Sequence, residues 1–107
     1  MPSTTIARGN ALNTFYIQPS LTPAAVAANI TAAQTFTIAG LETTDHVLVS
    51  CAAAQTAGLF IADARVSATN TLSVQFGNLT AGSLTPTAGN YYIDIVRFEG
   101  PLPTTAV

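Results

Sequence analysis

The chain predicts an all-β fold: an antiparallel β-sandwich or jelly-roll-like barrel of about six to eight strands, with an extended N-terminal arm. Three observations carry that expectation. Apolar residues recur at every second position in several segments, the period of a half-buried strand. Clusters of Gly, Pro, Asn and Ser separate those segments at the short intervals usual in antiparallel folds. The six prolines fall in connections and ends, where they do not interrupt a ladder. At 107 residues the chain has the size of one domain and can bury one modest core.

Taken in order, "TFYIQ" (Thr14–Gln18) reads as a short strand stopped by the breaker "PSLTP". "AAVAANI" has helical propensity, because Ala leads that scale, but its Thr-rich surroundings favour extended or irregular structure. In "TAAQTFTIAGL", Phe36 and Ile38 point one way and Thr35 and Thr37 the other, and Gly40 supplies a turn. "DHVLVSC" sets Val47, Val49 and Cys51 against His46, Leu48 and Ser50. Gly58 to Asn78 reads as a hairpin. Its first strand places Phe60, Ala62, Ala64 and Val66 on one face and Leu59, Ile61, Asp63 and Arg65 on the other. "SATN" turns the chain, and Leu72, Val74 and Phe76 then point inward in strict alternation with Thr71, Ser73 and Gln75. "NLTAGSLTPTAGN" is a turn-rich connection. In "YYIDIVRF", Tyr91, Ile93 and Ile95 form one face and Tyr92, Asp94, Val96 and Phe98 the other. Both faces are bulky, so this strand is expected to be covered on both sides, by the core and by a partner or arm. The expected division is an arm with a short strand over 1–30, a β-sandwich over 31–99 and a tail over 100–107. The chain has no internal repeat.

Composition narrows the function classes. Hydrophobic residues make up 49% of the chain, which excludes disorder as its general state. Charged residues make up only 7%, against about 25% in ordinary domains. Lysine is absent, and the cations are Arg8, Arg65 and Arg97. Such a surface suits a protein covered by neighbours, because uncharged sheet edges invite pairing; composition alone fits an ordinary polar but uncharged surface equally well. A net charge of −2 with no basic cluster leaves nucleic-acid binding without its phosphate-neutralising contacts. "MPSTTIARGN" lacks the apolar stretch of a secretory signal, and no apolar run approaches the ~18 residues of a membrane helix. No membrane partner and no secretion are expected. The single cysteine, Cys51, excludes an internal disulfide and reads as a small buried hydrophobe.

The residues that carry chemistry are few. His46 lies beside Asp45 and four positions before Ser50, but on a strand His46 and Ser50 stand about 13 Å apart at ~3.3 Å per residue, too far to hydrogen bond. One His and one Cys give no zinc pattern, and the carboxylates are scattered. Asp63 and Arg65, at i and i+2, are natural ion-pair neighbours on one strand face, and Asp94 has Arg97 three positions on. The sequons at Asn29 and Asn78 read as accidents of a Thr-rich sequence. No catalytic residue, metal ligand or cofactor site is expected.

From Phe36 to Arg97 the chain resembles a small β-domain found repeatedly in virion structural proteins of tailed bacteriophages. The resemblance lies in a "GL" turn, a "DHVLVS" strand, the "GLFIADARVSATNT" hairpin and "FGNLTAGSLTPTAGNYY" before the last strand. Gly40, Asp45, Val47, Val49, Gly58, Leu59, Arg65, Val66, Asn70, Thr71, Phe76, Asn78, Thr80, Pro86, Gly89 and Tyr92 match its pattern. About sixty residues are covered, and the first thirty lie outside. Most matched residues have plain structural jobs: glycines at turns, Asn70 and Asn78 in left-handed backbone or bonded to their own turns, valines and Phe76 in the core.

The resemblance implies a structural role and no activity. Because the domain makes up almost the entire chain, it points to a capsid decoration (cement) protein on the virion exterior, made in the host cytoplasm. The implied partners are the major capsid protein and further copies of the chain, as a dimer or trimer at a symmetry axis. The arm from Pro2 to about Ile30 is expected to lie along one of them by strand addition. Tyr16, Tyr92, Val96 and Phe98 are the candidate contact residues, with this domain's own core as the competing destination for each. The alternatives are a tail, baseplate or fibre-associated subunit, or a receptor- or glycan-binding module using an exposed tyrosine.

Overall fold

The computed structural model describes residues 11–98. It is a β-sandwich of seven strands: β1 Ala11–Ile17, β2 Ser20–Leu21, β3 Thr31–Thr37, β4 His46–Cys51, β5 Leu59–Ala68, β6 Thr71–Asn78 and β7 Gly89–Phe98. All pairings are antiparallel. In the first sheet β7 is central, with β4 along one side and β1 followed by β2 along the other. In the second sheet β6 is central between β3 and β5.

Alternation explains where the core lies. β7 sends Tyr91, Ile93 and Ile95 inward, and β6 sends Leu72, Val74 and Phe76 to meet them. All six are at most 5% exposed. Val47, Val66, Leu59, Leu41 and Val26 complete the apolar cluster. The "AAVAANI" segment is irregular rather than helical. Val26 is fully buried and bridges Leu84, with Val26 N–H donating to Leu84 O at 2.7 Å and Leu84 N–H returning at 3.1 Å.

Four expectations need correction or extension. The first strand runs from Ala11 rather than Thr14, and "PSLTP" contains β2, because Ser20 and Leu21 continue the edge of β7 after Pro19. The arm expected over 1–30 divides. Residues 1–10 lie outside the described residues, as does the 100–107 tail, while residues 11–30 are built into this domain's own sandwich. β1 and β2 of that segment pair with β7 of the same domain. In β5, Ile61 opposes Phe76 and Asp63 opposes Gln75, so Ala62 is an extra residue in a β-bulge. The bulge switches the inward set from Phe60, Ala62, Ala64 and Val66 to Leu59, Ile61, Ala64 and Val66. Phe60, turned outward, lies over Gly77, where an added Cβ would stand 2.2 Å from the ring. Finally, the described residues hold no ion pair between Asp63 and Arg65. Both are exposed, and water leaves such a pair little to gain.

Buried polar groups tie the loops together. Asn78, 3% exposed, donates from Nδ2 to Val26 O at 3.0 Å and Gly82 O at 2.9 Å. Its Oδ1 accepts from Thr80 N–H at 2.8 Å and Thr80 Oγ1 at 2.7 Å. Tyr91 Oη donates to Thr87 O at 2.7 Å and accepts from Gln55 Nε2 at 3.2 Å, joining the β4–β5 and β6–β7 loops. Burial pushes this phenol's pKa up from its ordinary value.

Gly58 has φ +90°, and a Cβ there would meet Thr80 Cγ2 at 2.4 Å. Thr80 cannot easily rotate away, because its hydroxyl is held by Asn78 Oδ1 and Gly82 O. Gly58→Ala is therefore expected to cost about 2 kcal/mol from backbone strain plus overlap, read as a lowered urea midpoint with unchanged slope.

Candidate interaction surface

The outer face of the β1–β7–β4 sheet gathers the candidate contact residues. On β7, Tyr92, Val96 and Phe98 share a face because strand side chains alternate. Across the ladder Tyr16 opposes Asp94 from β1, and Leu48 opposes Asp94 from β4. A row Tyr16–Asp94–Leu48 therefore crosses the sheet, with Tyr92 and Val96 as diagonal neighbours within reach of large side chains. Tyr16 is 73% exposed, Leu48 64% and Tyr92 47%. Val96 and Phe98 are half-buried. None of the candidate residues belongs to the domain's core cluster.

Leu48 was not among the candidates, although its alternation with Val47 and Val49 placed it opposite the core. The missing signal was cross-strand pairing, which alone brings Leu48 beside Tyr16 and Tyr92. Besides the phenols of Tyr16 and Tyr92, the titratable side chains described on this face are Asp94, half-buried, and His46, exposed opposite Val96. Ser50 also faces outward, opposite Tyr92. His46 and Ser50 occupy different rungs of one strand, as the sequence implied. Cys51, paired with Tyr91, is half-buried on the inner face.

The strongest electrostatic constellation lies at one end of the sandwich. Arg97 Nε donates to Asp45 Oδ1 at 2.9 Å, and its terminal nitrogen donates to Asp45 Oδ2 and Gly40 O, each at 2.8 Å. Glu42 Oε2 stands 3.3 Å from the other terminal nitrogen. The Asp45 carboxylate is fully buried and also accepts from Glu42 N–H at 3.0 Å. The Arg97 hydrogen bonds outweigh burial and hold the Asp45 pKa below its ordinary value, with the Glu42 N–H helping. The same guanidinium lies 5.1 Å from the centroid of the Phe15 ring, within cation–π range. Sequence spacing had set Arg97 beside Asp94. Asp94 instead faces outward, and the true partner lies 52 positions away.

No family model, curated protein or solved structure gives a significant match to this chain. The carboxylates of Asp45 and Glu42 both engage Arg97, and Asp45 also closes the Gly40–Asp45 turn through the Glu42 N–H. Asn70 and Asn78 are committed to backbone groups: Asn70 at φ +62° accepts from Gly40 N–H at 2.8 Å, and Asn78 serves Val26 O, Gly82 O and Thr80 N–H. Among the described residues, the outer face of the β1–β7–β4 sheet is the surface where several exposed large side chains, Tyr16, Leu48 and Tyr92, lie on neighbouring strands.

Proposed function

We propose that this chain is a structural virion protein, a bacteriophage capsid decoration protein that binds the capsid exterior and reinforces contacts between capsomers. The observation that carries the reading is the outer face holding Tyr16, Leu48, Tyr92, Val96 and Phe98, large side chains on a rigid sheet with little charge. The resemblance from Phe36 to Arg97 supplies the phage context. Aromatic anchors on a rigid platform suit adhesion, because they bring contact area at low entropic cost. The major capsid protein and sister copies are the partners this reading names.

Copy number per particle tests it. Quantitative mass spectrometry of purified virions is expected to give hundreds of copies in a simple ratio to the major capsid protein. A handful of copies would move the chain to the tail, baseplate or fibre, and absence from particles would overturn a virion role. Attachment to capsids lacking the protein is expected to weaken less than threefold between about 50 and 300 mM salt. Apolar burial and backbone pairing respond little to screening over that range. Steep loss of binding would point to charged contacts instead.

A further inference from the structure

On the outer face of the first sheet, side chains of β4 and β7 stand at the corners of a near-rectangle. His46 is paired with Val96 and Leu48 with Asp94, and all of them point outward because strand side chains alternate. The corners lie about 4.8 Å apart across the ladder and about 6.8 Å apart along each strand. One diagonal, Leu48 to Val96, is apolar. The other carries an imidazole at one end, His46, and a carboxylate at the other, Asp94. Leu48 is 64% exposed, His46 is exposed, and Asp94 and Val96 are half-buried.

We propose that this rectangle is the two-fold contact between two copies of the chain. The pattern is its own complement. A two-fold axis lying in the face along the Leu48–Val96 diagonal sets Leu48 against Leu48 and Val96 against Val96 of the second copy, and it exchanges the other two corners. His46 of each copy then meets Asp94 of the other, as an isologous interface requires. An imidazole, neutral or charged, has an N–H to donate to a carboxylate. A stacking with the strands of the two copies aligned and Asp94 on the axis does worse, because carboxylate then faces carboxylate and like charges repel. The diagonal axis crosses the two sheets at about 70°, toward the orthogonal mode of sheet packing. Tyr16 and Tyr92 border the contact on β1 and β7. A rectangle of this size with two tyrosines at its margin is at the small end of specific interfaces, so the expected dissociation constant is about 100 μM. The assignment rests on the proposed role of this face as a contact surface and does not depend on the capsid.

Sedimentation velocity tests it on the full chain from about 10 μM to about 1 mM, beside His46→Glu, Asp94→Lys and the double variant carrying both. The parent is expected to pass from monomer to dimer over that range. His46→Glu sets two carboxylates face to face and Asp94→Lys removes the acceptor, so each is expected to weaken the dimer at least about tenfold. The double variant restores opposite charges at the exchanged corners and is expected to recover the dimer to within about threefold of the parent. A parent that stays monomeric throughout overturns the proposal, as do single variants that associate like the parent, or a folded double variant that dimerises no better than the singles. Where the double variant fails to fold, Leu48→Asp decides: this exposed position lies on the axis, and an unchanged dimer there overturns the proposal. A monomeric parent found at hundreds of copies per particle overturns the self-contact alone and leaves the capsid role standing. A dimer in solution from a chain absent from particles supports the contact and overturns the virion role.

Discussion

Asn78→Asp is expected to destabilise the domain by about 4 kcal/mol, a large share of the 5–15 kcal/mol that holds a typical domain folded. The substitution changes almost no volume. It removes the two N–H groups that serve Val26 O and Gly82 O, and it puts a carboxylate oxygen against those two carbonyl oxygens at a site 3% exposed. One carboxylate oxygen keeps the Thr80 donors, but the other faces two carbonyl oxygens with no donor, and burying charge in that arrangement is costly. Asn78→Ala is expected to cost less, about 2–3 kcal/mol. It leaves the carbonyls and Thr80 N–H underserved but adds no repulsion. At roughly 4–8 °C per kcal/mol for a domain this size, melting temperature should fall in the order Asn, Ala, Asp. An alanine variant as stable as the parent would show that the loops hold together without this hub.

Asp45→Ala is the second large effect, about 3 kcal/mol. The buried carboxylate accepts two bonds from Arg97 and one from the Glu42 N–H. Its loss opens the turn after Gly40 and frees the guanidinium that stacks on Phe15. Part of the ion-pair contribution is lost to solvent, since Arg97 is partly exposed. Most of the cost is therefore hydrogen bonds to a charged group and the cavity left behind. Acid titration isolates the charge. The folded-state pKa of Asp45 is lowered by Arg97, below the ~3.9 of an unfolded chain. The stabilisation is therefore complete above about pH 5 and drains away as pH falls through the lowered value. Stability measured from pH 7 to pH 2 should decline less in Asp45→Ala than in the parent. Parallel curves would mean that Asp45 titrates alike in both states.

The two hydrogen-bonding side chains behind these effects were legible only in part. Asn78 has the sequence context of a turn residue bonding its own loop, and its bonds to Thr80 do that. Its bond to Val26 O, 52 positions back, depends on two loops meeting at one end of the sandwich. The partner of Arg97 was hidden for the same reason. Spacing proposes the nearest acid, but the ladder turns Asp94 outward and brings Asp45 to the strand end. Where a strand is regular and its inner face apolar, periodicity suffices: β4, β6 and β7 have the expected faces residue for residue. β5 defeats it at Ala62, because one unpaired residue inverts the parity of everything before it. β2 is two residues long and has no period to detect. The candidate surface was half legible. Tyr92, Val96 and Phe98 follow from alternation on one strand, whereas bringing Tyr16 and Leu48 beside them requires the strand order.

The pairing of Ala11 with Phe98 has a mechanical consequence. The described body is entered and left at neighbouring positions on adjacent antiparallel strands. Tension between those two points acts across the ladder and opens one rung at a time, as a zipper opens. Tension between that corner and the distant β4–β5 or β6–β7 loops runs along the strands and loads many rungs at once. The same sandwich is thus compliant when drawn apart at its own ends and stiff when stretched along its length.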